Sequence, residues 1–290
     1  MTYRELYLAA RKLLSDNGIE DPGTDSLLLA ETFLGKDRTG LTLHGEETPA
    51  PEQEAAFWIA VKERADRRPL QYILGEWEFM GLSLAVGEGV LIPREDTVVA
   101  VEALAERLAG MPEPAGLDLC AGTGAAALGL CTLLPGASVT CLEYSRQAFS
   151  FLERNLAAYP EYRVTALFGD ILQPETAARF LPASLDFIFS NPPYIPTSQL
   201  ASLQPEVRRE PSMALDGGAD GLVFYREICS LWLPLLKRPG GVLAVEIGEE
   251  QGETVSALFA EHGLKDIEIK KDWANLDRCV IGTVSQDRRV

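Results

Sequence analysis

Apolar residues in the first 69 positions recur three or four residues apart, which is the spacing of a helix with one buried face. The first such helix is marked by Tyr3, Leu6, Tyr7, Ala10, Leu13 and Leu14. A second helix is predicted to begin at an N-cap formed by Thr24 and Asp25, and a third to follow Pro51. The pattern therefore predicts a small helical domain over residues 1–69.

The hydrophobic period changes from helical to alternating after this domain. Residues 70–93 are rich in aromatic and β-branched side chains and are divided by Gly75, Gly81 and Gly87. Such a segment is typical of strands joined by tight turns, so it predicts a β-hairpin linker.

From Gly116 onward, short apolar runs alternate with segments of helical spacing. The predicted strands are GLDLC, SVTCLE, VTALFG, LDFIFS, GVLAVEIG, IEIKK and CVIGTV, and GLVFYREICSLWLPLL (221–236) is predicted as one helix. This alternation indicates an α/β fold with an open, mostly parallel sheet and helices on both faces. The last two strands have no helix between them and predict an antiparallel hairpin at one edge. We assign residues 94–290 to this domain.

Composition narrows the classes of function. The chain of 290 residues has a net charge of −17, which disfavours binding to the phosphate backbone of nucleic acids. No apolar run is long enough to cross a bilayer and the N-terminus lacks a signal-peptide core, so we expect a cytoplasmic protein. Five cysteines without CxxC spacing and only two histidines predict neither a metal site nor a histidine-centred active site.

The first strand of the alternating region runs directly into a glycine-rich turn. Asp118 is followed by the turn Cys120–Gly124, and a helix begins immediately after it. The glycines let a ligand approach the backbone, and the helix offers free N–H groups. The turn also satisfies the G-x-G-x-x-A form of the dinucleotide fingerprint, with Glu143 about 20 residues further on to hold a ribose diol. A nicotinamide-dependent dehydrogenase is therefore one candidate.

Acids at three consecutive strand ends favour S-adenosylmethionine over a dinucleotide. Asp118 is placed to attract the cationic methionyl end of that cofactor, where a pyrophosphate would prefer a neutral loop. Asp170, after the third strand, is placed to bind the adenine amino group while Ile171 packs against the ring. With Glu143 on the ribose, these residues predict a site for a sulfonium cofactor.

The fourth strand ends in Asn191-Pro192-Pro193-Tyr194, a polar amide followed by two prolines and a phenol. Proline fixes its own φ and favours extended geometry in the residue before it, which predicts a rigid turn beside the glycine turn. The Asn191 side-chain oxygen and the Pro192 carbonyl oxygen can accept hydrogen bonds from a substrate NH2 group and aim its nitrogen at a methyl group. Tyr194 can stack on a planar amide or base. No general base is needed, because the methylated nitrogen becomes acidic.

These motifs together resemble class I S-adenosylmethionine-dependent methyltransferases that act on planar amino or amide nitrogens. More narrowly, the chain resembles the family of glutamine-N5 methyltransferases of peptide chain release factors. The blocks that carry the narrower resemblance are PLQYILGEWEFMGL (69–82), VLIPREDT (90–97), NPPYIP (191–196), EPSMALDGGADGLVFYREI (210–228), PGGVLAVEIGEEQG (239–252) and KDWANLDRCVIG (271–282). The resemblance extends from about residue 65 to residue 283, and the helical N-terminal domain matches in type.

The resemblance implies a Rossmann-like class I methyltransferase sheet and methylation of the glutamine in a Gly-Gly-Gln loop of the release factors. The N-terminal domain and the hairpin linker would help to dock that protein. The implied catalytic and glutamine-binding residues are Asn191, Pro192, Pro193 and Tyr194. The implied cofactor residues are Cys120, Ala121, Gly122, Thr123, Gly124, Glu143, Ile171 and Asn191. We add Arg94 to the substrate site as a hypothesis and expect a monomer without a metal ion.

Three positions depart from the usual pattern of this family. Glu143-Tyr144-Ser145 stands where Asp-x-Ser is usual, Ser212 replaces an Arg, and Glu95-Asp96 stands where Pro-Glu is usual. A longer carboxylate still reaches a ribose, so these departures bear on contacts with the release factor rather than on the chemistry.

Other functions fit parts of the pattern. A sibling enzyme that methylates a glutamine of a ribosomal protein would share the active-site motif and differ in its docking surfaces. A DNA adenine N6-methyltransferase would need a basic face, but residues 1–74 hold 9 Lys and Arg against 13 Asp and Glu, and residues 75–290 hold 17 against 30. A dehydrogenase leaves the Asn-Pro-Pro-Tyr turn unexplained, and a non-enzymatic adaptor would not keep Asn191 and the glycine turn.

Overall fold

The computed structural model describes residues 1–286 and divides the chain into two compact units. The first, the helical unit, comprises Met1–Glu76 and the short segment Gln204–Arg209. The second, the sheet unit, comprises Trp77–Leu203 and the chain from Glu210 onward. The domain limits expected at residues 69 and 93 stay a prediction.

The helical unit consists of helices whose apolar faces meet in one core. These helices are α1 (Tyr3–Asp16), α2 (Pro22–Leu34), α3 (Arg38–Leu43), α4 (Pro51–Ala65) and α5 (Leu70–Leu74). The core contains the fully buried side chains of Leu6, Leu14, Leu29, Phe57 and Val61. The spacing of apolar residues therefore predicted the long helices correctly, whereas the short α3 has too few turns to leave such a pattern.

The start of α2 differs from the prediction. Asp21 is the N-cap, because its Oδ1 accepts a hydrogen bond from the Thr24 backbone N–H at 3.0 Å, and Pro22 occupies the first turn. The predicted cap at Thr24 and Asp25 was wrong because Asp21 already satisfies a free N–H of the first turn and proline suits the first helical position.

Arg64 of α4 joins two carboxylates inside the helical unit. Its Nε lies 2.6 Å from Asp25 Oδ2, and a terminal nitrogen lies 2.9 Å from Glu206 Oε1. Burial raises the pKa of Asp25, and the hydrogen bond from Arg64 opposes that shift. The guanidinium thus ties the segment Gln204–Arg209 to the helices of its own unit.

Residues 70–93 contain a shorter hairpin than predicted. α5 occupies the first five of these residues and ends at Gly75, whose φ of 81° is left-handed. Strands β1 (Glu76–Phe79) and β2 (Leu82–Ala85) follow and form a two-stranded sheet. The expectation of strand from residue 70 was wrong because Gly75 closes a helical turn there instead of continuing a strand.

The sheet unit is built on a seven-stranded sheet. Its strands are β3 (Ala115–Leu119), β4 (Ser138–Glu143), β5 (Arg163–Phe168), β6 (Phe187–Ser190), β7 (Val242–Glu246), β8 (Leu264–Lys271) and β9 (Asp277–Val284). The order across the sheet is β5-β4-β3-β6-β7-β9-β8. Strands β3 to β7 are parallel, and β9 runs antiparallel to both β7 and β8. The predicted parallel sheet with an antiparallel edge is confirmed.

Helices cover both faces of this sheet. They are α6 (Thr97–Arg107), α7 (Ala125–Leu133), α8 (Arg146–Ala158), α9 (Pro174–Ala177), α10 (Val223–Glu227) and α11 (Gly252–Glu261). Phe187 and Phe189 of β6 pack in one apolar cluster and Ile188 packs in the other, as expected for a strand buried on both faces. Within residues 1–286, no helix has the length and apolar character needed to span a membrane.

The segment 221–236 was predicted as one helix and is instead three short pieces. α10 is followed by a wide helical turn over Ile228–Trp232 and by a 3-10 turn over Leu233–Leu235. The single helix was wrong because Pro234 has no N–H to donate and its ring obstructs the preceding turn.

Candidate active site

A cavity of about 360 Å³ opens at the edge where the parallel strands end. Its walls come from the turns that follow β3, β4, β5 and β6, and from residues between positions 89 and 97 and between 211 and 216. Ligands of open parallel sheets bind at this edge, and the volume suits a small-molecule ligand.

Most of the residues predicted from the sequence line this cavity. The lining includes Asp118, Cys120, Ala121, Gly122, Thr123, Glu143, Asp170, Ile171, Asn191, Pro193 and Arg94. It does not include Gly124, Pro192 or Tyr194. The cavity therefore collects the predicted cofactor and substrate residues in one place, while the role of each residue stays a prediction.

The turn after β3 is made of residues in left-handed backbone conformations. Cys120, Gly122 and Gly124 have φ angles of 62°, 56° and 81°. A Cβ on Gly124 would lie 2.7 Å from a methyl group of Leu152, so packing and the left-handed φ both favour glycine there. A Cβ on Gly122 would meet no protein atom closer than 4.0 Å. The space beside Gly122 is therefore open to a ligand and is not filled by another side chain among residues 1–286.

Asp118 is a buried carboxylate at the base of the cavity. Only 2% of the residue is exposed, and its Oδ2 has no hydrogen-bond partner within residues 1–286. Burial raises the pKa of Asp118 to about 8; a backbone hydrogen bond opposes the shift, and the charge of Glu143 adds to it. An unpartnered buried acid is costly, so the position suits a ligand that brings a positive charge and a hydrogen-bond donor.

Glu143 stands at the end of β4 with its carboxylate held by backbone donors. Its Oε2 accepts from the Gly122 N–H at 2.9 Å and its Oε1 accepts from the Ser145 N–H at 2.6 Å. Burial raises its pKa, and these hydrogen bonds oppose the shift. Each carboxylate oxygen has a second lone pair, so Glu143 is oriented to accept hydrogen bonds from a diol.

Asp170 and Ile171 form the wall after β5. Asp170 Oδ1 accepts from the Leu172 N–H at 2.9 Å, which fixes the carboxylate in a local turn. Ile171 is 4% exposed, and its carbonyl oxygen accepts from Trp232 Nε1 at 2.9 Å. An acceptor next to an anchored apolar side chain matches an aromatic ring that carries an amino group.

The Asn191–Tyr194 turn is held from behind by Gln251. The Gln251 Nε2 donates to the Tyr194 carbonyl at 3.0 Å and to the Gly221 carbonyl at 3.2 Å. A Cβ on Gly221 would lie 2.3 Å from the Tyr194 carbonyl oxygen, so no side chain fits between these two segments. The turn is therefore rigid because of its surroundings as well as its prolines.

Thr97 decides which end of the Asn191 amide faces the cavity. The Asn191 Nδ2 donates to Thr97 Oγ1 at 3.3 Å, and the Thr97 side chain also lowers the pKa of the buried Glu246. An amide NH2 group only donates, so the Thr97 hydroxyl oxygen is the acceptor in this contact. This arrangement leaves the Asn191 Oδ1 without a donor among residues 1–286, available to a substrate NH2 group.

Glu246 ends β7 and is almost entirely buried, with 1% exposure. Burial raises its pKa to about 7, whereas hydrogen bonds from Thr97 and Tyr194 and the charge of Arg278 lower it. The Tyr194 hydroxyl lies 3.5 Å from Glu246 Oε1.

The sequence analysis did not predict Thr97, Glu246 or Gln251 as residues of the site. The only sign of them in the sequence is that all three lie in blocks that resemble the family.

Arg94 lines the cavity and is also tied to a buried acid. One of its terminal nitrogens forms an ion pair with Glu210, whose Oε2 accepts from the Ile92 N–H at 2.9 Å. Burial raises the pKa of Glu210, and Arg94 opposes that shift. Arg94 thus has a structural partner, and its contact with substrate stays a hypothesis.

The parallel sheet, the glycine turn with its acids and the Asn-Pro-Pro-Tyr turn define a class I S-adenosylmethionine-dependent methyltransferase. The family model described as "Methyltransferase small domain" matches residues 95–209, and the model described as "PrmC N-terminal domain" matches residues 5–75. The chain belongs to the release factor glutamine methyltransferase family.

Two curated relatives illustrate this membership. The release factor glutamine methyltransferase of Geobacter sulfurreducens is 42% identical over 285 residues, which cover 98% of this chain and 97% of that protein. The enzyme of the same name from Moorella thermoacetica is 40% identical over 287 residues, covering 97% of this chain and 98% of that protein.

Among solved structures, the hMettl16 catalytic domain in complex with the MAT2A 3'UTR hairpin 6 shares the fold, with a TM-score of 0.55. Its sequence is 15% identical, and the match covers 82% of this chain and 83% of that chain.

We expect Gly122→Ala to lower the affinity for S-adenosylmethionine at least tenfold. The new methyl group would enter the cavity, where no protein atom occupies the space. Gly110→Ala is the matched control, because Gly110 also has a left-handed φ, of 91°, and open space around it. Both substitutions should cost about 1–2 kcal/mol of stability through backbone strain. Isothermal titration calorimetry measures the affinity, and equal cofactor affinity in both variants would contradict the assignment.

We expect Asp118→Asn to stabilise the cofactor-free protein at pH 8 while it weakens cofactor binding more than tenfold. The pKa of Asp118 is raised in the folded state, so the folded protein holds a proton that the unfolded chain releases, and stability falls as pH rises from about 4 to 8. The Asn variant lacks this loss and should be more stable at pH 8 by up to about 5 kcal/mol, with a gain of at most about 2 kcal/mol at pH 5. Urea unfolding at both pH values checks the sign, and a gain that is larger at pH 5 would contradict it.

Proposed function

We propose that this protein transfers a methyl group from S-adenosylmethionine to the side-chain amide nitrogen of the glutamine in the Gly-Gly-Gln motif of peptide chain release factors. The observation that carries the proposal is the Asn191 amide, which lies on the cavity wall with Nδ2 engaged by Thr97. An oriented amide oxygen is suited to an NH2 group on a planar carbon. The relatives that bear this enzyme's name over their full length support the choice of substrate.

We assign the cofactor to the part of the cavity between β3 and β5. Asp118 would hold the cationic methionyl end, Glu143 the ribose diol, and Asp170 with Ile171 the adenine. The turn Cys120–Gly124 would contribute backbone contacts, with Gly122 at the closest approach. When bound, S-adenosylmethionine supplies an electrophilic methyl group on a sulfonium.

The substrate glutamine is assigned to the Asn191–Tyr194 turn. Asn191 Oδ1 and the Pro192 carbonyl oxygen accept hydrogen bonds from the two N–H bonds of the glutamine amide, which fixes the direction of the nitrogen. These acceptors also favour the positive charge that grows on the nitrogen as it is methylated. Pro193 keeps the turn rigid, and Tyr194 packs beside the amide plane. The nitrogen then loses one proton to solvent, so a basic side chain is not required.

This assignment also gives a role to the other parts of the chain. Residues 1–69 and the linker 70–93 would help to dock the release factor, residues 94–290 would perform the transfer, and Arg94 would contact the substrate. The protein would act in the cytoplasm, as a monomer, without a metal ion and without direct contact with nucleic acid. The net charge of −17 supports a protein substrate over DNA.

The proposed function is tested with labelled S-adenosylmethionine and three unmodified acceptors: a release factor, a ribosome fraction and duplex DNA. We expect one methyl group on the release factor's Gly-Gly-Gln glutamine, located by mass spectrometry. Asn191→Ala should lower the rate at least 100-fold. The substitution removes the acceptor Asn191 Oδ1 and alters the turn that places the second acceptor, the Pro192 carbonyl oxygen. Transfer to ribosomal protein or to DNA in place of the release factor would keep the chemistry and reject the substrate.

The role of Thr97 is tested by Thr97→Val, with Thr97→Ser as the matched control. Valine preserves the shape and removes the hydroxyl that orients Asn191, so kcat should fall about 10- to 100-fold, which corresponds to roughly 1.4–2.7 kcal/mol. Serine keeps the hydroxyl and should stay close to the wild-type rate. The Kd for S-adenosylmethionine should be unchanged in both variants. Equal kcat in the Val and Ser variants would show that the hydroxyl does not position Asn191.

A further inference from the structure

Trp273 is the most exposed large apolar residue among those that the structure describes, with a relative exposure of 105%. It stands in the turn between β8 and β9 and has no ring contact within residues 1–286. Tryptophan is highly buried on average, so full exposure is unusual, and it indicates a surface that another molecule covers where other exposed apolar side chains lie near it.

The turn that presents Trp273 is fixed by Asp272. The Asp272 Oδ1 accepts from the backbone N–H groups of Ala274 at 2.8 Å and Leu276 at 2.9 Å. The Asp272 Oδ2 accepts from Arg278 Nε at 2.7 Å. The side chain is therefore displayed on a preformed turn, and little backbone freedom is lost when a partner binds.

The strand register places this turn at the same edge of the sheet as the methyl-transfer site. β9 runs antiparallel to β7 with Cys279 opposite Glu246, so the residues that precede β9 lie at the edge where β7 ends. Arg278 Nε also lies 3.3 Å from the carboxylate of Asp96, which directly precedes Thr97. Trp273 and the oriented amide of Asn191 thus belong to the same edge of the sheet.

Exposed apolar side chains of the sheet unit concentrate at this edge. Tyr144 and Met213, which are 55% and 48% exposed, line the cavity itself, and Leu276 shares the turn of Trp273 with 37% exposure. By contrast, Leu133 and Leu181, which precede β4 and β6, lie at the opposite edge with 43% and 76% exposure. An apolar rim around a catalytic cavity matches a substrate larger than the cavity.

Acidic residues border the same rim. Glu249 and Glu250 follow β7 in an exposed loop, and neither forms an ion pair within residues 1–286. Free carboxylates at a docking surface favour a partner with basic side chains opposite them and repel acidic partners.

We propose that Trp273 is the anchor of the surface that docks the protein substrate, where it inserts into an apolar depression bordered by basic side chains next to the methylated glutamine. The proposal rests on the proposed function, because it takes the release factor as the occupant. A tryptophan at the centre of an interface commonly carries a large share of the binding energy. Trp273 contributes to binding of the protein substrate only and touches neither the cofactor nor the reacting atoms.

The test compares Trp273→Ala, Trp273→Phe and the matched control Leu181→Ala with the wild-type enzyme. The Kd for the unmodified release factor is measured by calorimetry on enzyme saturated with S-adenosylhomocysteine, and kcat and KM are measured by methylation. We expect Trp273→Ala to raise Kd and KM at least tenfold with kcat and cofactor affinity near wild type. Trp273→Phe should recover part of the loss, and Leu181→Ala should change nothing.

Unchanged Kd and KM in Trp273→Ala would overturn the anchor, and so would an equal loss in Leu181→Ala or a loss confined to kcat. Methylation by the wild-type enzyme tests the proposed function, whereas the ratio of variant to wild-type Kd tests the anchor. A wild-type enzyme that neither binds nor methylates the release factor would overturn both.

Discussion

The parallel pairing of β3 with β6 is the contact on which the rest of the site depends. Leu119 lies opposite Ser190, and the Ser190 hydroxyl donates to the Leu119 carbonyl at 2.7 Å, so the two strands end at the same level. A Cβ on Gly116 would lie 2.3 Å from the Phe187 carbonyl oxygen, so only glycine permits this approach. Because both strands are buried on both faces, the glycine turn and the Asn-Pro-Pro-Tyr turn are held next to each other.

The site concentrates acids in a buried environment, which makes it unfavourable for the stability of the free protein. Asp118, Glu143 and Glu246 all have a pKa raised by burial. Their roles differ because their partners differ. Glu143 is held by backbone N–H groups, whereas Asp118 and Glu246 each keep one oxygen without a hydrogen-bond partner in the described part of the chain. Of these two, Asp118 lines the cavity and Glu246 does not. This loss of stability is expected in a site where a bound ligand, and not another protein group, neutralises the buried acids.

Local sequence rules predicted the sheet, most helices and the residues that follow the strands. They failed where a single residue changes the local backbone against the hydrophobic pattern. Gly75 ends a helical turn inside a segment with the alternation of strands, and Pro234 divides a segment with the spacing of one long helix. Asp21 caps α2 one turn before the cap that spacing indicated. Each error concerns the limit of an element and leaves the topology intact.

The sequence by itself determined the type of fold and the chemistry at the strand ends, because hydrophobic period, glycine and proline act on their immediate neighbours. Only the tertiary structure decided how that chemistry is oriented. Thr97, Asn191 and Glu246 are far apart along the chain, and no local pattern shows that one hydroxyl turns the Asn191 amide. The same holds for two tryptophans: Trp232 is fully buried and Trp273 is fully exposed. Burial and hydrogen-bond direction depend on long-range neighbours, which exist only once the strands have paired.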